Sequence, residues 1–145
     1  MTLIAALFTG LVIGLVLAVP AVMIELIRPQ TKNLPILIDI DIVPGRRTGF
    51  EFELSLALQL FMSTIFGGGY LLLSRLSFTP FDWSGFSYVI YVIIFYLTIG
   101  GILFPTLRLG LFGRREGKYV PLELFIAHSL YGFCFYLAVN LFFLR

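Results

Sequence analysis

Polar chemistry is scarce in this sequence. The single cysteine, Cys134, excludes an intrachain disulfide and a thiolate metal cluster, and the single histidine, His128, excludes any site needing two imidazoles from this chain. Charged residues make up only 12% of the 145, and the net charge is +2. Soluble domains are about one-quarter charged, so this composition cannot cover a water-facing surface. Disorder is excluded as well, because it needs low hydrophobicity. There is no Walker loop, HExxH zinc site, nucleophile elbow or CxxC pair. The few basic residues flank apolar segments instead of forming a stripe, which argues for lipid headgroups and against nucleic acid as their partner.

What the sequence has in abundance is hydrocarbon. It is 59% hydrophobic, with 16 phenylalanines, and its mean hydropathy is +1.01. A bilayer core about 30 Å thick takes ~20 apolar residues as a helix rising about 1.5 Å per residue. Four segments meet that length: Leu3–Ile24, Leu54–Ser74, Trp83–Leu107 and Leu124–Leu144. Backbone amides cannot stay unpaired in lipid, so these read as helices, approximately 3–27, 52–75, 84–107 and 122–144. The expectation is an all-α, integral membrane four-helix transmembrane bundle forming one domain. The first segment lacks the basic n-region and small-x-small cleavage site of a signal peptide, so it is read as a retained helix.

Lys and Arg counts set the expected orientation. Arg28, Lys32, Arg46 and Arg47 occupy the first loop; Arg108, Arg114, Arg115 and Lys118 occupy the third; only Arg75 and Arg145 lie elsewhere. This predicts a multi-pass protein of the inner or plasma membrane, with loops 28–51 and 108–121 cytoplasmic and both termini outside. Between the first two helices, residues 34–44 are too apolar for a free loop and too short to span, and Pro35 and Pro44 bracket them; they are expected to lie along the interface. In the second loop, Asp82 or Ser84 is placed to cap the third helix. Phe78, Phe81, Trp83 and Tyr88 there suggest an aromatic belt at headgroup level.

Helices in lipid associate through close contact. Ala6, Gly10, Gly14 and Ala18 form a small-residue stripe on the first helix, and Ser63 and Gly67 offer a matching face on the second. Pro20 is expected to bend the first helix, and Gly100, Gly101 and Pro105 to loosen the end of the third. Ionisable residues within a span are candidate functional groups. His128 leads them, sharing a face with Tyr131, Gly132 and Phe135. It reads either as a hydrogen-bonding group across the bundle, as a proton-relay group, or as an axial ligand to a haem or chlorophyll-type pigment from a neighbouring subunit; no cofactor is expected of this chain alone. Gln59, Glu123, His128 and Tyr131 form a polar site only if they converge. Glu51, Glu53 and Glu123 open helices, where carboxylates offset the macrodipole. Asn140 and Cys134 read as interhelical bonding and packing groups. Asp39-Ile40-Asp41 has the spacing of a metal-binding DxD pair but no supporting residues.

The order of landmarks resembles the small four-helix membrane proteins of the YagU-like type. The resemblance rests on Leu60-Phe61-Met62-Ser63-Thr64-Ile65-Phe66-Gly67, on Gly100-Gly101-Ile102-Leu103-Phe104-Pro105, and above all on His128-Ser129-Leu130-Tyr131-Gly132. Where that type carries a histidine near the start of the second helix, this chain has Gln59. The resemblance implies a fold and a membrane location, and no activity. The functional expectation is a non-catalytic accessory or structural subunit packing against other membrane subunits, of a respiratory or photosynthetic assembly for instance. The alternative is a small transporter or ion or proton pathway working as a homo-oligomer; an enzyme using Asp39 and Asp41 ranks last.

Overall fold

The computed structural model describes residues 1–28, 50–76, 81, 83–115 and 117–143. The interfacial segment expected at 34–44, with Asp39 and Asp41, lies outside the described residues, as do Phe78 and Asp82. Within them the chain is all-helical and has no strand. Four helices are long and apolar enough to cross a membrane: α1 (Leu3–Ile27), α2 (Glu51–Arg75), α3 (Gly85–Thr106) and α4 (Val120–Phe142).

The helix starts follow from local chemistry. Thr2 caps α1, its Oγ1 accepting from the Ala5 N–H at 3.2 Å, and Ser84 caps α3, accepting from the Ser87 N–H at 3.3 Å. Glu51 and Glu53 occupy the first turn of α2 and Glu123 that of α4, the favourable end of the dipole for an anion. Pro121 lies in the first turn of α4, where a missing N–H costs nothing, so that helix starts before the proline rather than after it.

Two compact units are described in turn. In residues 2–68, α1 buries a single stripe, Ala6, Gly10, Ile13, Gly14, Ala18 and Ala21. A Cβ placed on Gly14 would stand 2.6 Å from both Cβ and Oγ of Ser63, and one on Gly68 would stand 2.6 Å from Leu7 Cδ2. Those separations mean that α1 and α2 touch backbone to side chain at both levels. Ala21 packs with Ile24, Phe52 and Leu56 farther along, which makes the pair antiparallel. Ser63 and Gly67 are both buried.

In the second unit, residues 69–145 with Met1, α3 and α4 run antiparallel. Tyr88 meets Tyr136 with ring centroids 5.0 Å apart, Phe95 meets His128 at 5.6 Å, and Tyr96 meets Phe125 at 5.4 Å. The ladder of α3 widens at Ile99–Leu103 into one π turn, where the Phe104 N–H reaches the Ile99 carbonyl. Pro105 has no N–H for the next bond, and the wider register spares its ring a clash with the preceding turn. Beyond the helix the chain folds back. Arg108 N–H bonds the Pro105 carbonyl at 3.0 Å and Leu109 N–H the Phe104 carbonyl at 2.9 Å, a Schellman ending with Arg108 at φ +63° where glycine is usual. A left-handed non-glycine costs about 1–2 kcal/mol. The return is packing: Phe112, in the short 3₁₀ turn Leu111–Gly113, lays its ring on Gly100, where any Cβ would collide with it.

Candidate functional site

The most elaborate constellation surrounds Tyr70, the first residue after Gly67-Gly68-Gly69. Its ring is fully buried. Tyr88 stacks on it at 4.2 Å and 12°, Tyr91 and Trp83 meet it edge-on at 5.2 and 5.1 Å, and Phe81 and Phe135 close the shell at 6.0 and 6.3 Å. Offset and edge-on pairs match the ring quadrupoles. The Tyr70 and Ser87 hydroxyls share a 2.7 Å hydrogen bond, and Ser87 Oγ also donates to the Ser84 carbonyl at 2.8 Å. Phe81 and Tyr88 are therefore core residues, 9% and 3% exposed. The belt expected at headgroup level is turned inward at these two positions, because Tyr70 offers aromatic faces that lipid does not.

Sequence reasoning missed Tyr70, Ser87 and Tyr91. The signal was the glycine run: a Cβ on Gly69 would stand 2.5 Å from Tyr91 Oη. Only a residue without a side chain admits α3 that closely. The Tyr88 hydroxyl is the one buried side-chain polar atom without a partner among the described residues.

Beside this cluster an apolar groove of about 320 Å³ runs between α3 and α4. Val89, Val92 and Ile93 line one wall, and Phe125, Phe133 and Tyr136 the other, with Gly132 in its floor. The groove carries no carboxylate, imidazole or cation.

His128, Asn140 and three of the span threonines bond within their own helices, whereas Tyr96 Oη donates across to the Pro121 carbonyl of α4 at 3.3 Å. His128 is half-buried, and its Nδ1 lies 2.7 Å from the Leu124 carbonyl, one turn back. With that nitrogen donating, Nε2 keeps the lone pair. Phe95 and Tyr96 flank the ring at 5.6 and 6.2 Å. Asn140 Nδ2 donates to the Tyr136 carbonyl at 2.9 Å, and the hydroxyls of Thr9, Thr64 and Thr98 bond carbonyls four residues back at 2.8 Å. Asn140 was expected to bond across helices, and for His128 such a bond was one of three readings; the bond each makes here is to the carbonyl one turn back, which has a second lone pair to spare.

Tyr131 is buried on the same face of α4 as His128, whereas Glu123 is exposed. Five residues separate Glu123 from His128, which sets them about 140° apart around a helix. Gln59 is half-buried in the other unit. Among the described residues no group of three or more His, Cys, Asp or Glu could hold a metal ion. Cys134 is a half-buried free thiol.

A modest result is expected from His128→Phe. The ring contacts persist and the Leu124 carbonyl keeps its backbone donor, so the variant should lose less than about 1 kcal/mol in a detergent unfolding titration. A larger loss would mean that the imidazole holds something beyond its own helix.

No protein-family model, curated protein or solved structure matches this chain. The class is defined by its fold alone: among the described residues the chain is all-helical, with four helices long and apolar enough to span a membrane.

Proposed function

We propose that this chain is a non-catalytic integral membrane subunit that packs against a larger assembly of membrane proteins. The observation that carries the reading is the groove between α3 and α4, about 320 Å³, apolar, and lined by side chains such as Val89, Ile93 and Phe133. It has the chemistry to seat the ridge of a helix from another polypeptide, since helices in lipid gain affinity from fitted van der Waals contact. The disposition of polar groups supports the same reading. His128, Asn140 and the span threonines are bonded within their own helices, and Glu123 and His128 point to different sides of α4. That arrangement favours a passive subunit over a transporter or proton pathway, which would need a continuous polar lining.

The proposal carries an orientation. Eight of the ten Lys and Arg residues lie in the first and third loops, and on the positive-inside rule those loops are cytoplasmic, with both termini across the membrane. Kinship with the YagU-like type, an inner or plasma membrane location, a bundle of the four helices and a respiratory or photosynthetic partner belong to the same proposal.

Extraction of the tagged chain from its native membrane in mild detergent is expected to bring down other subunits in fixed ratio. Val89→Trp, which fills the groove, should reduce their recovery at least severalfold while leaving helix content unchanged. A monodisperse chain with no companion and full stability would end the proposal.

A further inference from the structure

We propose that the turn joining α3 to α4 binds the phosphate-bearing headgroup of an anionic membrane lipid, with Arg108, Arg114 and Arg115 as its cations. The inference rests on α3 and α4 spanning the bilayer, and is independent of any partner subunit. Residues 108–118 hold four basic residues, Arg108, Arg114, Arg115 and Lys118, against one acid, Glu116. Because α3 ends at Thr106 and α4 begins at Val120, the turn that carries this charge lies at the edge of the hydrocarbon, at the depth of the phosphates.

The turn is built, and its cations are turned outward. Arg115 N–H bonds the Leu109 carbonyl at 3.1 Å, and Arg115 Nη1 donates to the Arg108 carbonyl at 3.2 Å, so the Arg115 guanidinium is fixed at the carboxyl end of α3 beside Arg108. Gly113 N–H to the Gly110 carbonyl at 3.1 Å and Arg114 N–H to the Leu111 carbonyl at 3.2 Å hold the intervening loop, and the Phe112 ring on Gly100 anchors it to the helix. Arg108, Arg114 and Arg115 are all exposed, and among the described residues none meets a carboxylate. A guanidinium bonded to one carbonyl still presents several N–H donors, the geometry that suits phosphate oxygens.

The neighbours select lipid over a soluble anion. Leu107, Leu111 and Leu122 are exposed around the arginines, at 39%, 60% and 57%, and Tyr119 at 66%. Apolar side chains interleaved with arginines match the boundary between acyl chains and headgroups, where both find their solvent.

The test is reconstitution of the purified full chain into vesicles of phosphatidylcholine with a minority of phosphatidylglycerol, followed by gentle re-extraction and mass spectrometry of the lipid retained. The wild type should retain phosphatidylglycerol enriched at least about fivefold over the vesicle ratio, since each arginine near an anionic surface contributes severalfold. Arg108→Gln, Arg114→Gln and Arg115→Gln together should return retention to the vesicle ratio, while Arg75→Gln at the end of α2 leaves it enriched. Circular dichroism checks the fold. Should the triple variant misfold, Arg114→Gln alone, whose side chain makes no hydrogen bond among the described residues, should lower the enrichment at least twofold. No enrichment in the wild type, or full enrichment in a folded triple variant, would overturn the proposal. Displacement of the lipid by excess inorganic phosphate would also overturn it, by assigning the turn to the free ion.

Discussion

Tyr70→Ala is expected to destabilise the protein by about 3–5 kcal/mol, the usual range for deleting a large buried aromatic ring. The ring is completely buried and touches five other aromatic side chains: Phe81, Trp83, Tyr88, Tyr91 and Phe135. In lipid the loss is one of dispersion contact, because a cavity between fixed rings has no atoms to replace those removed. Tyr70→Phe separates the hydroxyl from the ring. Ser87 keeps its bond to the Ser84 carbonyl, so that variant should lose only about 0.5–1.5 kcal/mol. Unfolding titrations of the three proteins in mixed micelles check both figures. Equal losses in the two variants would place the stability in the Tyr70–Ser87 hydrogen bond instead of the stacked rings.

Gly14→Val is expected to be comparably damaging, at about 3 kcal/mol, by the opposite route of overpacking. Its first added carbon would already stand 2.6 Å from Ser63 Cβ and Oγ, with two methyl groups still to place. Only a wider separation of α1 and α2 makes room, and the contacts of Ala6 to Ala21 weaken with it. A reciprocal change identifies the cause. Gly14→Ala combined with Ser63→Gly should recover at least about 1 kcal/mol relative to the sum of the single variants, the coupling expected of residues in direct contact. Strict additivity would show that the two positions do not touch.

Four helices long and apolar enough to span a membrane are legible in the sequence because length without charge is a strong signal. The widened turn at Ile99–Leu103 was legible only as a weakness, from Gly100, Gly101 and Pro105; nothing local says that Phe112 will fill the space over Gly100. The Tyr70 cluster is opaque for another reason. Its partners lie from 11 to 65 residues away along the chain, and a tyrosine after three glycines does not name them. The candidate polar site was legible as a list, Gln59, Glu123, His128 and Tyr131, but not as a geometry. Whether an imidazole or amide bonds across a helix pair or back along its own helix is a rotamer choice, and His128 and Asn140 both fold back.

The widened turn in α3 also acts as a phase slip. On an unbroken α-helix, sixteen residues after Tyr88 would place Phe104 roughly 160° away from it, looking outward. One extra residue in a turn sets back everything that follows by about 100°, and Phe104 comes round to the interior, where it is 2% exposed. The hydrophobic periodicity of α3 is thus written in two registers joined at Ile99. A helical-wheel projection that ignores the join paints the wrong side of the last turn as lipid-facing.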